Sequence, residues 1–114
     1  MTTIYKICAE ELWREAEKAR VFHGAPVDLA DGFIHFSTAG QVEETAARHF
    51  HGQGGLLLIA YDDEALGKDL RYEVSRGGAL FPHLYAALDP TKAKWVKPLP
   101  LDASGTHLFP PLDA

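Results

Sequence analysis

A histidine and a serine share one predicted strand in the segment 31–38, DGFIHFST. Successive side chains on a β-strand alternate between its two faces. This alternation places Phe33, His35 and Ser37 together, opposite the two apolar residues between them. An imidazole that can exchange a proton next to a hydroxyl is suited to acid–base chemistry or to holding a polar ligand. We therefore take His35 and Ser37 as candidate site residues.

A second histidine lies in the segment 81–85, FPHLY, which alternates in the same way. Extended backbone places His83 and Tyr85 on one face of this segment. Both side chains could line the cleft to which His35 belongs, or His83 could instead anchor the loop that follows Pro82. We include His83 and Tyr85 among the candidate ligand-binding residues.

An acid occurs in the strand predicted at 70–75, LRYEVS, where Arg71, Glu73 and Ser75 alternate with apolar residues. On a solvated face Glu73 would only pair with its neighbour Arg71. If the sheet brings Glu73 to the cleft, its carboxylate could hold a ribose hydroxyl or act as a general base. Glu73 is therefore a candidate catalytic residue beside His35.

The strand that carries His35 leads directly into a second predicted helix. Thr38 and Gln41 match a capping box, in which two side chains satisfy backbone donors at a helix start, and the helix should run to about Phe50. Free N–H groups at such a start favour a phosphate or a carboxylate. Thr38 is thus a further ligand-binding candidate.

The alternative for His35 is a structural histidine bonded to a backbone carbonyl.

The pattern of apolar residues predicts a single α+β domain over residues 1–114. Residues at helical spacing predict a first helix at 9–20, preceded by a strand at 4–8. The stretch 56–61 is apolar throughout, which predicts a central strand buried on both faces. Another short strand is predicted at 93–96. The expected architecture has two early helices and a small mixed or antiparallel sheet.

Two stretches are predicted to lack regular structure. Residues 27–31 should form a connector into the strand of His35. The tail 97–114 contains four prolines and should lie irregularly on the surface. His107, in this tail, is expected to be exposed to solvent.

Composition excludes several classes of protein. A net charge of −5 disfavours a domain that binds bulk nucleic acid by neutralising phosphates. No stretch approaches the ~18 apolar residues that a membrane span requires, and we predict a cytoplasmic protein. Cys8 is the only cysteine, which excludes an internal disulfide, and its apolar neighbours predict that it is buried.

Six histidines raise the question of a metal site. The closest pair, His49 and His51, would point apart on a helix, and no nearby carboxylate completes a ligand set. We predict no metal site. The expected partner is a small-molecule ligand, and the sequence leaves the oligomeric state open.

The chain resembles the DUF952 family of uncharacterised proteins over about residues 4–88. The resemblance rests on the following positions: Tyr5-Lys6-Ile7, Trp13, 31–38, Gln41, Thr45, Phe50, Glu73 and 81–85. It implies a fold like that of ADP-ribosyltransferases, whose small split sheet binds NAD in a central cleft. The family itself carries no established activity.

The resemblance also implies roles by residue type. Transferases of that fold place a His or Arg, a Ser or Tyr, and a Glu on successive strands around NAD. Here His35 would orient a ribose hydroxyl, Ser37 would support the nicotinamide side, and Glu73 would stabilise positive charge at the anomeric carbon. In this chain the His and the Ser share one predicted strand, which departs from the pattern. Alternatively, His23 and Gly24 could be the early His-Gly of the poly-ADP-ribosyltransferase pattern, which would leave His35 in another role. His23 is therefore a further ligand-binding candidate.

A fainter resemblance links the segment FIHFS to the His-Ile-His segment of RNA 2′-phosphotransferases, a related fold that uses NAD. Only one of the two histidines is present, and the acidic chain shows no evident RNA surface. Our hypothesis is therefore a nucleotide-binding cleft, with NAD as candidate ligand or substrate and ADP-ribosyl transfer or NAD glycohydrolysis as candidate reaction. The alternative is a non-catalytic metabolite-binding or regulatory module.

Overall fold

Two antiparallel sheets form the framework of the computed structural model, which describes residues 2–113 apart from the side chain at position 76. The strands are β1 (Thr3–Ala9), β2 (Ile34–His35), β3 (Ser37–Thr38), β4 (Leu56–Asp62), β5 (Leu70–Ser75), β6 (Ala79–Leu84) and β7 (Trp95–Pro98). The larger sheet has the order β3-β1-β4-β7 and the smaller one has the order β2-β6-β5. All pairings between these strands are antiparallel, so the α+β prediction is confirmed and the sheets contain no parallel pair within residues 2–113.

Three α-helices connect the strands within the described chain: α1 (Glu10–Ala19), α2 (Pro26–Asp31) and α3 (Val42–His49). Short 3₁₀ segments occupy Asp63–Asp69, Arg76–Gly78 and Pro90–Lys92. The helix predicted at 9–20 and the helix predicted to end near Phe50 correspond to α1 and α3. Among residues 2–113, the helices are too short and too polar to cross a membrane.

Helix α2 lies where the sequence predicted a connector, so that prediction is wrong. Pro26 occupies the first helical position, where its missing N–H costs nothing and its fixed φ favours the helix. The Asp28 carboxylate accepts the backbone N–H of Ala25 at 2.8 Å, which caps the first turn. Gly32, with φ of 86°, ends the helix in the left-handed conformation. The segment is only six residues long, too short for helical periodicity to be visible.

The single strand predicted across 31–38 is divided between the two sheets. β2 pairs with β6, whereas β3 pairs with β1. Phe36 alone separates the two strands, and its N–H donates to the carbonyl of Pro82 at 3.0 Å. The chain therefore passes from one sheet to the other at one buried residue.

The larger sheet separates two apolar clusters, because β4 lies between β1 and β7 and is buried on both faces, as predicted. One cluster packs against α1 and is centred on Ile4, Trp13, Phe22, Ile34, Ile59, Tyr61, Leu84 and Leu88. The other packs against α3 and contains Tyr5, Ile7, Val42, Ala46, Leu58 and Leu99. The smaller sheet contributes Ile34 and Leu84 to the first cluster, and this contact fixes its position against the larger sheet.

The C-terminal segment covers the second cluster and does not simply lie on the surface. The tail predicted at 97–114 begins with the end of β7, and beyond Pro98 it is irregular apart from an isolated bridge between Leu101 and His107. The prediction that His107 is exposed is wrong, because only 6% of it is accessible and its Nε2 lies 2.8 Å from the carbonyl oxygen of Gln53. The Tyr5 hydroxyl donates to the Asp113 carbonyl at 2.9 Å and accepts its N–H at 2.7 Å.

Cys8 is buried in the first cluster, as predicted, and burial raises the pKa of its thiol to about 11. The thiolate, which is the reactive form, is therefore scarce at pH 8. We expect native protein to react with a thiol reagent more than about a hundredfold slower than unfolded protein, whose cysteine has an ordinary pKa near ~8.5. Stopped-flow alkylation in buffer and in denaturant measures the ratio. Equal rates would contradict this placement of Cys8.

Candidate functional site

A cavity of about 480 Å³ lies between the two sheets. Its walls include imidazoles, aromatic rings and hydroxyls from both sheets and from α3: Tyr5, Lys6, His35, Phe36, Ser37, Thr45, His49, Ser75, Phe81 and His83. Pockets for small molecules usually measure about 300–1,000 Å³ and combine apolar walls with a few polar groups. The cavity has the size and the lining of a ligand site.

Asp28 is a fully buried carboxylate at the base of one wall, with 0% of its side chain exposed. Lys6 on β1, whose side chain is 5% exposed, donates from Nζ at 3.0 Å to Oδ1 and lies 2.8 Å from Oδ2. His35 donates its backbone N–H to Oδ1 at 3.1 Å, and its ring Nδ1 lies 2.6 Å from the same oxygen. With the bond from Ala25, the carboxylate has a hydrogen-bonding partner on each of its oxygens.

These contacts keep Asp28 ionised. Burial alone would raise the pKa of its carboxyl, but hydrogen bonds from His35 and Lys6, together with the charge of Lys6, outweigh burial and lower the pKa to about 2. An ionised carboxylate in an apolar interior is tolerated only when its lone pairs are satisfied in this way. Asp28 therefore fixes both Lys6 and His35 in the cleft wall.

His35 is bound at both ring nitrogens by carboxylates. Nδ1 contacts Asp28, and Nε2 lies 2.9 Å from Oδ2 of Asp31, one turn further along α2. Ionised carboxylates only accept hydrogen bonds, so each favours a proton on the ring nitrogen that faces it. The two contacts together fix the orientation of the His35 ring.

His83 lies directly opposite His35 across the β2–β6 pair, with ring centroids 5.6 Å apart. Its Nδ1 is 2.8 Å from Oε1 of Glu73, and the Tyr85 hydroxyl donates to the same oxygen at 2.6 Å. The hydrogen bond from Tyr85, followed by that from His83, lowers the pKa of Glu73 below its ordinary value. Glu73 thus reaches the cleft indirectly, by holding the imidazole of His83.

The Phe33 ring holds these side chains in one row. It stacks on His83 with centroids 4.0 Å apart, and its centroid is 4.5 Å from His35 and 5.3 Å from Tyr85. The predicted sharing of one face by Phe33 and His35 agrees with this contact. Packing of this kind restricts the rotamers of both histidines.

Ser37 and Thr38 belong to the other sheet. Ser37 lines the cavity, but its Oγ already lies 2.9 Å from Oγ1 of Thr45 on α3. The N–H of Thr38 donates to Oε1 of Gln41 at 3.0 Å, which forms half of the predicted capping box. The N-cap position of α3 is occupied by Gln41 and not by Thr38, so Thr38 lies one turn before the helix start.

His23 and Tyr85 line a second, smaller cavity of about 270 Å³, which also touches Phe33 and Asp28. The structure therefore divides the predicted site: His35, Ser37 and His83 line the main cavity, and His23 lines its neighbour.

The glycine after His23 has a packing role. Gly24 has φ of 128°, and a Cβ there would lie 2.8 Å from the Cβ of Asp28.

Sequence reasoning missed Lys6 and Asp28, which organise the wall behind His35. A signal for each was present. Lys6 is a lone charge in an otherwise apolar strand, which requires a buried partner. Asp28 follows Ala25-Pro26 at the third helical position, a pattern typical of a capped helix start.

Comparison with known proteins identifies the family. Residues 7–96 match the family described as protein of unknown function, DUF952. The chain belongs to the DUF952 family. No curated protein matches it.

Solved structures of another protein share this DUF952 fold. The crystal structure of protein CC0527 from Caulobacter crescentus has 48% sequence identity and a TM-score of 0.91, with 94% of each chain covered. A double mutant of that protein gives 47% identity and a TM-score of 0.90 over the same shares. Its solution NMR structure gives 50% identity and a TM-score of 0.83, covering 92% of this chain and 90% of that one.

Proposed function

We propose that the cleft of this DUF952 protein binds a nucleotide-like ligand of the NAD class, with NAD glycohydrolysis or ADP-ribosyl transfer as its reaction. The proposal also includes that the two sheets form an ADP-ribosyltransferase-like fold. The observation that carries it is the cavity of about 480 Å³ between the sheets, lined by three imidazoles and several aromatic rings. Aromatic walls favour a planar base, and the polar groups between them favour ribose.

The charges around the cavity also suit this ligand. The His35 ring can donate a hydrogen bond to a ribose oxygen or a diphosphate when the half-exposed Asp31 releases Nε2. The nicotinamide ring of NAD carries a positive charge, which the nearby carboxylate of Asp31 can attract. Ser37, on the opposite wall, supplies a hydroxyl for the amide side of that ring.

A matched pair of substitutions tests ligand binding. Ser75 lines the cavity at the end of β5, whereas its neighbour Val74 points to the other face and is 70% exposed. We expect Ser75→Trp to fill the cavity and weaken NAD binding at least about tenfold, and Val74→Trp to leave it unchanged. The measurement is an NMR titration with NAD, ADP-ribose and nicotinamide.

Saturable shifts around His35, Ser37 and Phe81 in the parent protein, lost only in Ser75→Trp, are the expected result. Absence of shifts at millimolar ligand would contradict the NAD class. Equal weakening of NAD binding by Ser75→Trp and Val74→Trp would show that the mutated hairpin, and not the cavity, controls binding.

The second candidate is a non-catalytic module that binds a metabolite or regulates another protein. It is favoured by the internal hydrogen bonds of Ser37 to Thr45 and of Glu73 to His83, which engage these side chains within the protein. Saturable NAD binding without nicotinamide release would support this module over an enzyme.

A further inference from the structure

We infer that Nε2 of His83 is the general base that activates water for cleavage of the N-glycosidic bond of a pyridinium nucleotide, with Glu73 and Tyr85 as positioning residues. The inference rests on the proposed function and deepens it, since it assigns the reaction to particular atoms. It also changes the role of Glu73 from a group that touches the substrate to one that acts through His83.

The tautomer of His83 is the first step of the argument. The carboxylate of Glu73 only accepts hydrogen bonds, so the contact of 2.8 Å puts the ring proton on Nδ1. Nε2 of the neutral ring then carries the lone pair. Within residues 2–113, apart from the side chain at position 76, no hydrogen bond engages this nitrogen, and His83 lines the cavity. A water molecule or an acceptor hydroxyl in the cavity is the group that it can deprotonate.

His35 and His83, two of the three histidines that line the cavity, have different surroundings, and this difference assigns their roles. Both ring nitrogens of His35 lie against carboxylates, so neither faces a water molecule or hydroxyl that it could deprotonate. His83 contacts a carboxylate through one nitrogen only, and no other described side chain bonds its second nitrogen. Enzymes commonly separate acid and base roles by surrounding two similar groups with different partners. His83 is the base, and His35, held by its two carboxylates, is a residue that binds the substrate.

Several contacts fix the His83 ring for this role. The Tyr85 hydroxyl, 2.6 Å from Oε1 of Glu73, holds the carboxylate that holds the ring. The Phe33 ring stacks on the imidazole with centroids 4.0 Å apart. A base that is oriented in advance loses less entropy when it reacts.

The step balances without any further reagent. Nε2 of His83 takes a proton from water, and the water oxygen forms a bond to the anomeric carbon. The bond from that carbon to the pyridinium nitrogen breaks, and its electron pair stays on the nitrogen, which becomes neutral. The leaving nicotinamide needs no proton, so a base alone suffices. His83 then releases its proton to solvent, and the products are ADP-ribose, nicotinamide and a proton.

The test combines turnover with binding. Nicotinamide release from NAD is followed in the parent protein and in His83→Gln and Glu73→Gln, and NAD affinity is followed by NMR. We expect His83→Gln to lower kcat at least about a hundredfold and Glu73→Gln to lower it about tenfold, with affinities within about threefold. Val74→Trp, on the opposite face, should keep full turnover.

A spectroscopic readout on the parent protein does not depend on the folding of any variant. Long-range ¹H–¹⁵N spectra report which imidazole nitrogen carries the proton, and we expect Nδ1–H for neutral His83 and a mixture of tautomers in Glu73→Gln. An Nε2–H tautomer in the parent protein would overturn the inference. Binding of NAD without hydrolysis that depends on His83 would overturn it while the proposed binding function stands. Failure of NAD to bind would overturn both.

Discussion

Asp28→Asn should lower the free energy of unfolding by about 3–5 kcal/mol, because it removes one partner of a buried ion pair. The amide cannot neutralise Lys6, whose ammonium is buried beside it. It also cannot accept all the donors that the carboxylate accepts from His35, Lys6 and Ala25. Urea unfolding followed by circular dichroism measures the change.

Asp31→Asn is the matched control for this substitution. Asp31 lies on the same helix and contacts the same histidine, but 48% of its side chain is exposed. Exposed ion pairs contribute about 0–1 kcal/mol, so a small change is expected. Equal losses in the two variants would contradict a special role for the buried carboxylate.

The pH dependence of stability gives a second readout of Asp28. Its pKa is lowered to about 2 in the folded protein, below the ordinary value near ~3.9 in the unfolded chain. Its contribution is therefore present above about pH 4 and is lost as the pH falls toward 2, and the shift corresponds to about 2 kcal/mol. Parent protein should lose this amount across that window, whereas Asp28→Asn should not.

Trp13→Ala should destabilise the protein by about 3–5 kcal/mol, because the side chain is 0% exposed in the cluster against α1. It packs on Phe22 with centroids 5.4 Å apart. Trp13→Phe should cost only about 1–2 kcal/mol. Within residues 2–113 the buried indole Nε1–H has no hydrogen-bond acceptor, and the phenyl ring removes this unsatisfied donor.

The difference between the two Trp13 variants is the informative quantity, and chemical denaturation of both under one condition measures it. Similar losses of stability in Trp13→Ala and Trp13→Phe would indicate that an ordered water accepts the indole N–H. Trp13→Phe would then remove a hydrogen bond as well as volume.

Much of this fold could be predicted because its periodicity is local. The spacing of Trp13 and Ala16 marks α1, and the unbroken apolar run of β4 marks a central strand. Helix α2 was missed because six residues give too short a pattern, and the proline that starts it resembles a breaker. His107 was misplaced because composition does not report the long-range contact with Gln53 that buries it.

The types of residue in the site could be predicted, but the contacts between their side chains could not. Strand alternation placed His35 near Phe33. The pairing of β2 with β6, which brings His35 opposite His83, cannot be predicted from one sequence. The role of Glu73 depends on a diagonal contact to His83 across β5 and β6. Asp28 was missed because Lys6 and His35, which bind its carboxylate, come from two different strands.

The crossing at Phe36 holds the two sheets together at one end of the cleft. One residue joins the sheets there, and consecutive Cα atoms are only about 3.8 Å apart, so the sheets cannot separate at this end. Ile34 and Leu84 strengthen the join, because both pack in the first cluster against the larger sheet. His35 and His83 are the neighbours of these residues along β2 and β6. The part of the fold that positions these two imidazoles is therefore also the part that fixes one sheet against the other.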